Sequence, residues 1–201
     1  MNKRTKLVIG LLGLLLMVTP CVASGVIYSD SATYAYVVRG ADTLLLDFYT
    51  PISKRQDAAT VVYLYGGAFI NGQRGDKQTR LDVAALLDRG FQVAAIDYRK
   101  YLSQVQLDTV SHRRVFDHLD SAIFYGASDC AAAVAFLCAH ANDLGIDTSK
   151  IVLAGSSAGA ISVLQLDYCR SNQLPVASLL PMGWKPAAVV SMSGAVFAHH
   201  S

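Results

Sequence analysis

The sequence predicts an α/β fold, a mostly parallel sheet with flanking helices, and three observations point there. Residues 60–65 (TVVYLY), 92–98 (QVAAIDY), 150–154 (KIVLA) and 187–192 (AAVVSM) are short apolar runs with little polar alternation, which suits strands buried on both faces of a parallel sheet. Helical segments alternate with these runs, so the connections are crossovers, expected to be right-handed. The chain has 201 residues, 53% of them hydrophobic and 16% charged, as befits one globular domain rather than a disordered chain.

The first residues stand apart. Asn2, Lys3, Arg4 and Lys6 make a basic start, Leu7 to Val18 is an unbroken apolar and glycine run, and Thr19 to Ser24 are mostly small. That is the layout of a secretory signal, with an apolar run too short to span a bilayer comfortably. Residues 1–24 are therefore read as a signal peptide cleaved after Ala23 or Ser24, and the mature protein is expected to be secreted or periplasmic. A lipid anchor at Cys21 is the alternative, although Pro20 fits it poorly. Losing Lys3, Arg4 and Lys6 takes the 17 basic residues to 14, against 15 acidic ones. Nothing in that balance attracts nucleic acid or an acidic membrane.

From residue 25 onward the elements follow in order. Tyr34 to Val38 and Asp42 to Tyr49 read as two strands joined at Arg39-Gly40-Ala41, the second closed by Pro51. After the third strand, residues 60–65, Lys77 to Arg89 reads as a helix stopped by Gly90. The fourth strand, residues 92–98, leads into a long loop from Arg99 to Ala127, of the kind that often covers a site. Ser128 to Asp143 reads as the next helix, with Ser128 as its N-cap, Asp129 in its first turn, and Cys130, Val134, Leu137, Ala141 and Leu144 as its buried stripe. The fifth strand, a helix from Ala158 to about Ser171 and the sixth strand complete the chain. Cys130, Cys138 and Cys169 are read as small core residues, since three cannot all pair internally and the first two are too far apart on one helix to bridge.

The residue pattern that carries chemistry is Gly155-Ser156-Ser157-Ala158-Gly159, a G-x-S-x-G pentapeptide between a strand and a helix. A strand that turns at once into a helix forces the residue at the bend into strained backbone angles, and the residues two before and two after it nearly collide, so both are glycine. Ser157 is then pushed out at the C-terminal edge of the sheet, with the Ala158 amide at a helix N-terminus. The plainer reading is a small-residue turn that lets strand and helix pack closely. A second pattern, Tyr65-Gly66-Gly67-Ala68-Phe69, puts two glycines directly after a strand, where bare amides can approach a ligand. Acyl transfer needs such donors for its oxyanion, each worth about 2.7–4 kcal/mol. Alone, that pattern is an ordinary glycine turn.

Together the two patterns resemble the α/β-hydrolase superfamily, in its carboxylesterase/lipase branch. The likeness covers most of Asp42 to Gly194 and rests on DTLLLDFYTP, YLYGGAF where the family has H-G-G-[GA]-F, the DYR tripeptide at Asp97 to Arg99, SDCAAAVAFL, GIDTSKIVLAGSSAGA and PAAVVSMSGA. It implies Ser157 as nucleophile, an oxyanion hole from the amides of Gly67, Ala68 and Ala158, and a small-molecule ester as substrate. Tyr65 stands where many members have a histidine that supports the loop.

The family order Ser, acid, His leaves partners to find. Asp167, the one carboxylate after Ser157, lies about 15 Å along the following helix and cannot be the acid. His199 and His200 are the only later histidines. About six of the usual eight strands are present, so residues 25–201 read as an incomplete domain whose acid and base fall beyond Ser201, with His199 as the alternative base because neighbouring strands are only about 4.8 Å apart. The last apolar strand is then expected to present an uncovered edge.

Other residues have blander readings: Asp97 and Arg99 as a loop-holding ion pair, His112 and His118 as solvated loop residues, His140 as a structural helix residue, and Arg74-Gly75-Asp76 as a polar loop. No P-loop and no metal-ligand spacing is present, so no cofactor or metal is implied. The expected function is a secreted serine carboxylesterase or lipase-like hydrolase, or the N-terminal part of one, working through an acyl-serine. The alternatives are a serine peptidase of the same fold and a binding protein that has lost the triad.

Overall fold

The computed structural model describes residues 28–53, 55 and 57–197. The expected signal peptide, Cys21, His199 and His200 lie outside the described residues. Six strands form one sheet: β1 (Tyr28–Arg39), β2 (Asp42–Pro51), β3 (Thr60–Leu64), β4 (Gln92–Ile96), β5 (Ile151–Ser156) and β6 (Ala188–Met192), in the spatial order β1-β2-β4-β3-β5-β6. β1 and β2 make an antiparallel hairpin whose turn carries Gly40 at φ 64°. β2 runs antiparallel to β4, and β4, β3, β5 and β6 are all mutually parallel. The expected mostly parallel α/β sheet is what the chain forms.

Apolar continuity explains the centre of this sheet. Every residue of β3 and of β4 is buried, because strands covered on both faces have no polar side to offer. Helix α1 (Lys77–Leu87) packs against β4 on the face that presents Tyr63, whose hydroxyl donates to Asp82 of the helix. Asp76 caps α1 by accepting from the Thr79 amide at 2.8 Å. Gly90, at φ 82°, ends the turn after it. Helices α2 (His112–Ala139) and α4 (Ala158–Ser171) pack on each other, α2 also reaching β1 and β3. A short α3 (Ala141–Leu144) follows α2.

The main correction concerns α2. It begins at His112, not at Ser128, so most of the expected loop from Arg99 to Ala127 is helix. Leu119, Ala122 and Ile123 supply a helical stripe that continues into Cys130, Val134 and Leu137; Gly126 interrupts it only in composition. The N-cap position is held by Ser111, with no side-chain bond. Ser128 lies mid-helix, its hydroxyl donating back to the Phe124 carbonyl at 2.7 Å, and Asp129 is fully buried rather than set in a first turn. The loop role expected for His112 and His118 goes with it: both are on the helix. His118 Nδ1 is 2.9 Å from the Tyr101 hydroxyl, and His140, at the helix C-cap, stacks on Phe136.

Two smaller corrections bear on the site. Asp97 and Arg99 do not pair with each other: Asp97 binds Arg74, which also reaches Asp47 at 2.9 Å, whereas Arg99 binds Asp129. Strand β1 starts at Tyr28, six residues before the expected strand. Cys130, Cys138 and Cys169 are free, the first and last buried; burial pushes the Cys130 thiol well up from its usual range, as suits a core residue rather than a reactive one.

Candidate active site

β5 ends at Ser156 and α4 begins at Ala158, leaving Ser157 as the single residue of the bend. Its backbone sits at φ 49°, ψ −115°, a conformation costly for any residue with a side chain. Close packing enforces the bend. A methyl group placed on Gly155 would lie 2.5 Å from the Gly159 carbonyl carbon, and one on Gly159 would collide with the Leu64 carbonyl at the end of β3. The bend is also clasped from the far side, where the Ser157 amide donates to the Met192 carbonyl of β6 at 2.8 Å.

The consequence is a serine presented to solvent. Ser157 is exposed while Ala158, Gly159 and Ala160 behind it are buried. Although Ser157 holds the N-cap position of α4, its hydroxyl makes no capping bond. Ala158 opens a 14-residue helix, so its amide belongs to the unpaired, partly positive first turn.

The glycine turn after β3 comes to the same place. Gly66 abuts the elbow so closely that a methyl group on it would sit 3.2 Å from Ser157 Cβ and 3.2 Å from the Ser156 carbonyl oxygen. The next three residues, Gly67, Ala68 and Phe69, all have positive φ (139°, 54° and 59°). The Gly67 carbonyl is turned inward, accepting from the amides of Ile70 and Asn71 at 2.9 Å each. Among the described residues, the amides of Gly67, Ala68 and Ala158 donate to no protein acceptor. Ala68 is exposed and Phe69 is buried, so the turn hangs from an aromatic anchor.

That anchor rests on the segment after β4. The Tyr98 hydroxyl donates to the Tyr65 carbonyl at 2.9 Å, and its ring stacks on Tyr65 with centroids 4.7 Å apart. Burial pushes both phenols well above their ordinary range, and Tyr65, standing where many family members have a loop-supporting histidine, packs against the segment after β4. Behind the turn lies a polar cleft of about 520 Å³, lined by Asp47, Tyr65, Arg74, Asp97 and Lys100 among others. Ser157 does not line it. Burial raises the Asp97 carboxyl against the opposing pull of Arg74.

All four residues singled out from the sequence, Ser157, Gly67, Ala68 and Ala158, thus lie at one edge of the sheet. No base accompanies them among the described residues: the Ser157 hydroxyl has no side-chain partner, His118 is held by Tyr101, and Asp167 is paired with Arg170 at 2.8 Å. Tyr98, Lys100 and Asp129 had no role near the site in the sequence reading, and Arg99 had one only as a loop-holding partner of Asp97. One signal was available: an aspartate inside the alanine-rich stretch SDCAAAVAFL must find a cation if it is buried.

Comparison with known proteins bears on the family and the fold. The sequence pattern described as BD-FAE matches residues 46–173, more than half of the chain. The chain belongs to the BD-FAE family. Among curated proteins, it is 31% identical over 115 residues to a probable isoprenylcysteine alpha-carbonyl methylesterase of Oryza sativa subsp. japonica, covering 57% of this chain and 23% of that one. A namesake from Arabidopsis thaliana is 29% identical over 133 residues, 66% of this chain and 27% of its own. This BD-FAE chain therefore spans about a quarter of the length of those curated relatives. Among solved structures, the butyrate-bound thermophilic esterase of Thermogutta terrifontis is similar at TM-score 0.51 and 25% identity, over 66% of this chain and 42% of that one. An arylesterase is similar in fold at TM-score 0.52 and 24% identity, over 73% and 42%. The chain has the α/β-hydrolase fold of the carboxylesterase kind, and its relatives are esterases.

Proposed function

We propose that this BD-FAE family member is a serine ester hydrolase, exported from the cell, that cleaves small carboxylic esters through an acyl-serine. One observation carries the reading: an exposed, strained serine at a helix N-terminus lies against a glycine turn whose Gly67 and Ala68 amides have no protein acceptor among the described residues. In the reaction, Ser157 Oγ attacks the ester carbonyl carbon and its proton passes to a base. The carbonyl oxygen becomes an oxyanion that accepts hydrogen bonds from the amides of Gly67, Ala68 and Ala158. Such fixed donors stabilise the transition state more than the ground state, because charge develops only there. Collapse of the intermediate expels the alcohol, and water then frees the acid from the serine. The base and its orienting acid lie outside the described residues. The methylesterase relatives support a small ester, but the acyl and alcohol groups are not assigned. Lipid attachment at Cys21 is the alternative to release.

Labelling with a fluorophosphonate tests this reading; the Thermogutta esterase has itself been captured phosphorylated by paraoxon. The protein as its gene encodes it is expected to take up one label, on the peptide containing Ser157, and to hydrolyse p-nitrophenyl acetate; Ser157→Ala is expected to lose both. A second reading has its own observation, the lack of any side-chain partner for the Ser157 hydroxyl among the described residues. It makes the chain a binding protein with a vestigial elbow. Absence of label and of hydrolysis selects it. Cleavage of peptide amides in preference to esters selects a peptidase of this fold instead.

A further inference from the structure

We propose that Asp129 is a positioning residue for the oxyanion donors, acting through Arg99 and the segment Tyr98 to Leu102. The inference rests on the ester-hydrolase reading for its purpose but not for its geometry. Asp129 is fully buried in the middle of α2. It accepts the Arg99 amide at 2.9 Å, Arg99 Nε at 2.9 Å and Nη2 at 2.8 Å, and Arg39 Nε lies 3.6 Å away. A carboxylate with no water around it is tolerable only when paired and hydrogen-bonded. Asp129 therefore dictates where Arg99 sits, backbone as well as side chain, and the guanidinium carbon is held over Tyr125, 4.1 Å from the ring centroid.

Fixing Arg99 fixes its neighbours, and three of them grip the glycine turn. Tyr98 Oη donates to the Tyr65 carbonyl just before the turn, at 2.9 Å. Leu102 donates its amide to the Phe69 carbonyl within it, at 3.1 Å. Lys100 Nζ donates to the Gly72 carbonyl just after it, at 3.0 Å. Beyond the two bonds to the Gly67 carbonyl inside the turn, these three attach it at its start, middle and end. Oxyanion donors act only if preorganised, and the buried ion pair is the fixed point from which this preorganisation is built.

Amide hydrogen exchange on the full chain, comparing wild type with Asp129→Asn, tests the inference whether or not the serine reacts. The Ile70, Asn71 and Leu102 amides report the closed turn and its attachment. Their protection is expected to fall roughly tenfold in Asp129→Asn while the amides of β3 and β5 keep theirs, the mark of local opening rather than global unfolding. Tyr98→Phe, which removes one hydroxyl, is expected to produce a smaller loss at the same amides and keeps the test open if Asp129→Asn does not fold. Unchanged protection at these amides, or an equal fall everywhere, overturns the inference. In the hydrolase assay the same variants are expected to lower kcat about tenfold with KM unchanged, because the lost interaction belongs to the transition state; an effect on KM alone also overturns it. An unreactive wild type defeats the hydrolase reading, and the exchange result still decides whether Asp129 sets the turn.

Discussion

Strands β3 and β6 share a Val-Val pair in a short apolar run and are opposite in circumstance. β3 reads TVVYL and β6 reads AVVSM. Val62 and Leu64 of β3 are 0% exposed; Val190 and Met192 of β6 are 47% and 40% exposed. β3 has β4 on one side and β5 on the other, whereas β6 pairs only with β5 among the described residues. On the α1 side, an apolar trough of about 450 Å³ runs over Val61, Tyr63, Val152, Ala154 and Val190. Apolar sequence states what a strand is suited to, and neighbours decide whether it is buried. Yet both strands serve the elbow: β3 supplies the wall against which Gly159 closes, and β6 supplies the carbonyl that holds the Ser157 amide.

The contrast is sharpest in stability. Leu64→Ala removes a fully buried side chain and should cost about 2–5 kcal/mol, read as a lower denaturant midpoint at unchanged slope. An equal loss from Val190→Ala would erase the distinction between the strands. Between them, the elbow has a signature of its own. Ser157→Gly should relieve the strained φ and raise stability by about 1–3 kcal/mol while abolishing any labelling, so a destabilised Ser157→Gly protein would speak against strain at the bend.

Farther from the elbow the effects shrink. Asp76→Ala, on the cap of α1, should cost about 1 kcal/mol. Its pH dependence has a defined sign. Burial alone would raise the Asp76 carboxyl, but the hydrogen bonds from Thr79 and Gln73 outweigh it and the net shift is downward. A carboxyl lowered in the folded state contributes stability above its ordinary range and loses it as pH falls through the lowered value. The difference between wild type and Asp76→Ala should therefore close in acid and stay constant from pH 6 to 8, which thermal melts would show. Smallest of all, Val190→Lys on β6 should change stability by less than about 0.5 kcal/mol and reduce self-association in light scattering, since a charge blunts an exposed strand edge.

Much of this was legible beforehand, for identifiable reasons. Strands β3, β4 and β5 announced themselves because burial on both faces leaves continuous apolar runs, β6 by its apolar composition alone, and the elbow because two glycines must flank the serine. The start of α2 was hidden because Gly126 and Ser128-Asp129 look like a break followed by a cap, when tertiary packing carries the helix straight through. The partners of Asp97 and Arg99 were hidden for a different cause: Arg74 and Asp129 lie 23 and 30 residues away, and ion pairs formed across the fold leave no local spacing to read. The exposure of β6 is not written in its own five residues; the expectation of an uncovered edge came from the count of strands.

The central claim is that Ser157 and the amides of Gly67 and Ala68 form one reaction centre. An experimental structure of the protein with a phosphonate on Ser157 tests it most directly. The phosphoryl oxygen should lie within hydrogen-bond distance of the Gly67 and Ala68 amides, with that of Ala158 completing the set. An oxygen turned to solvent, or a glycine turn moved away from the serine, would contradict the claim.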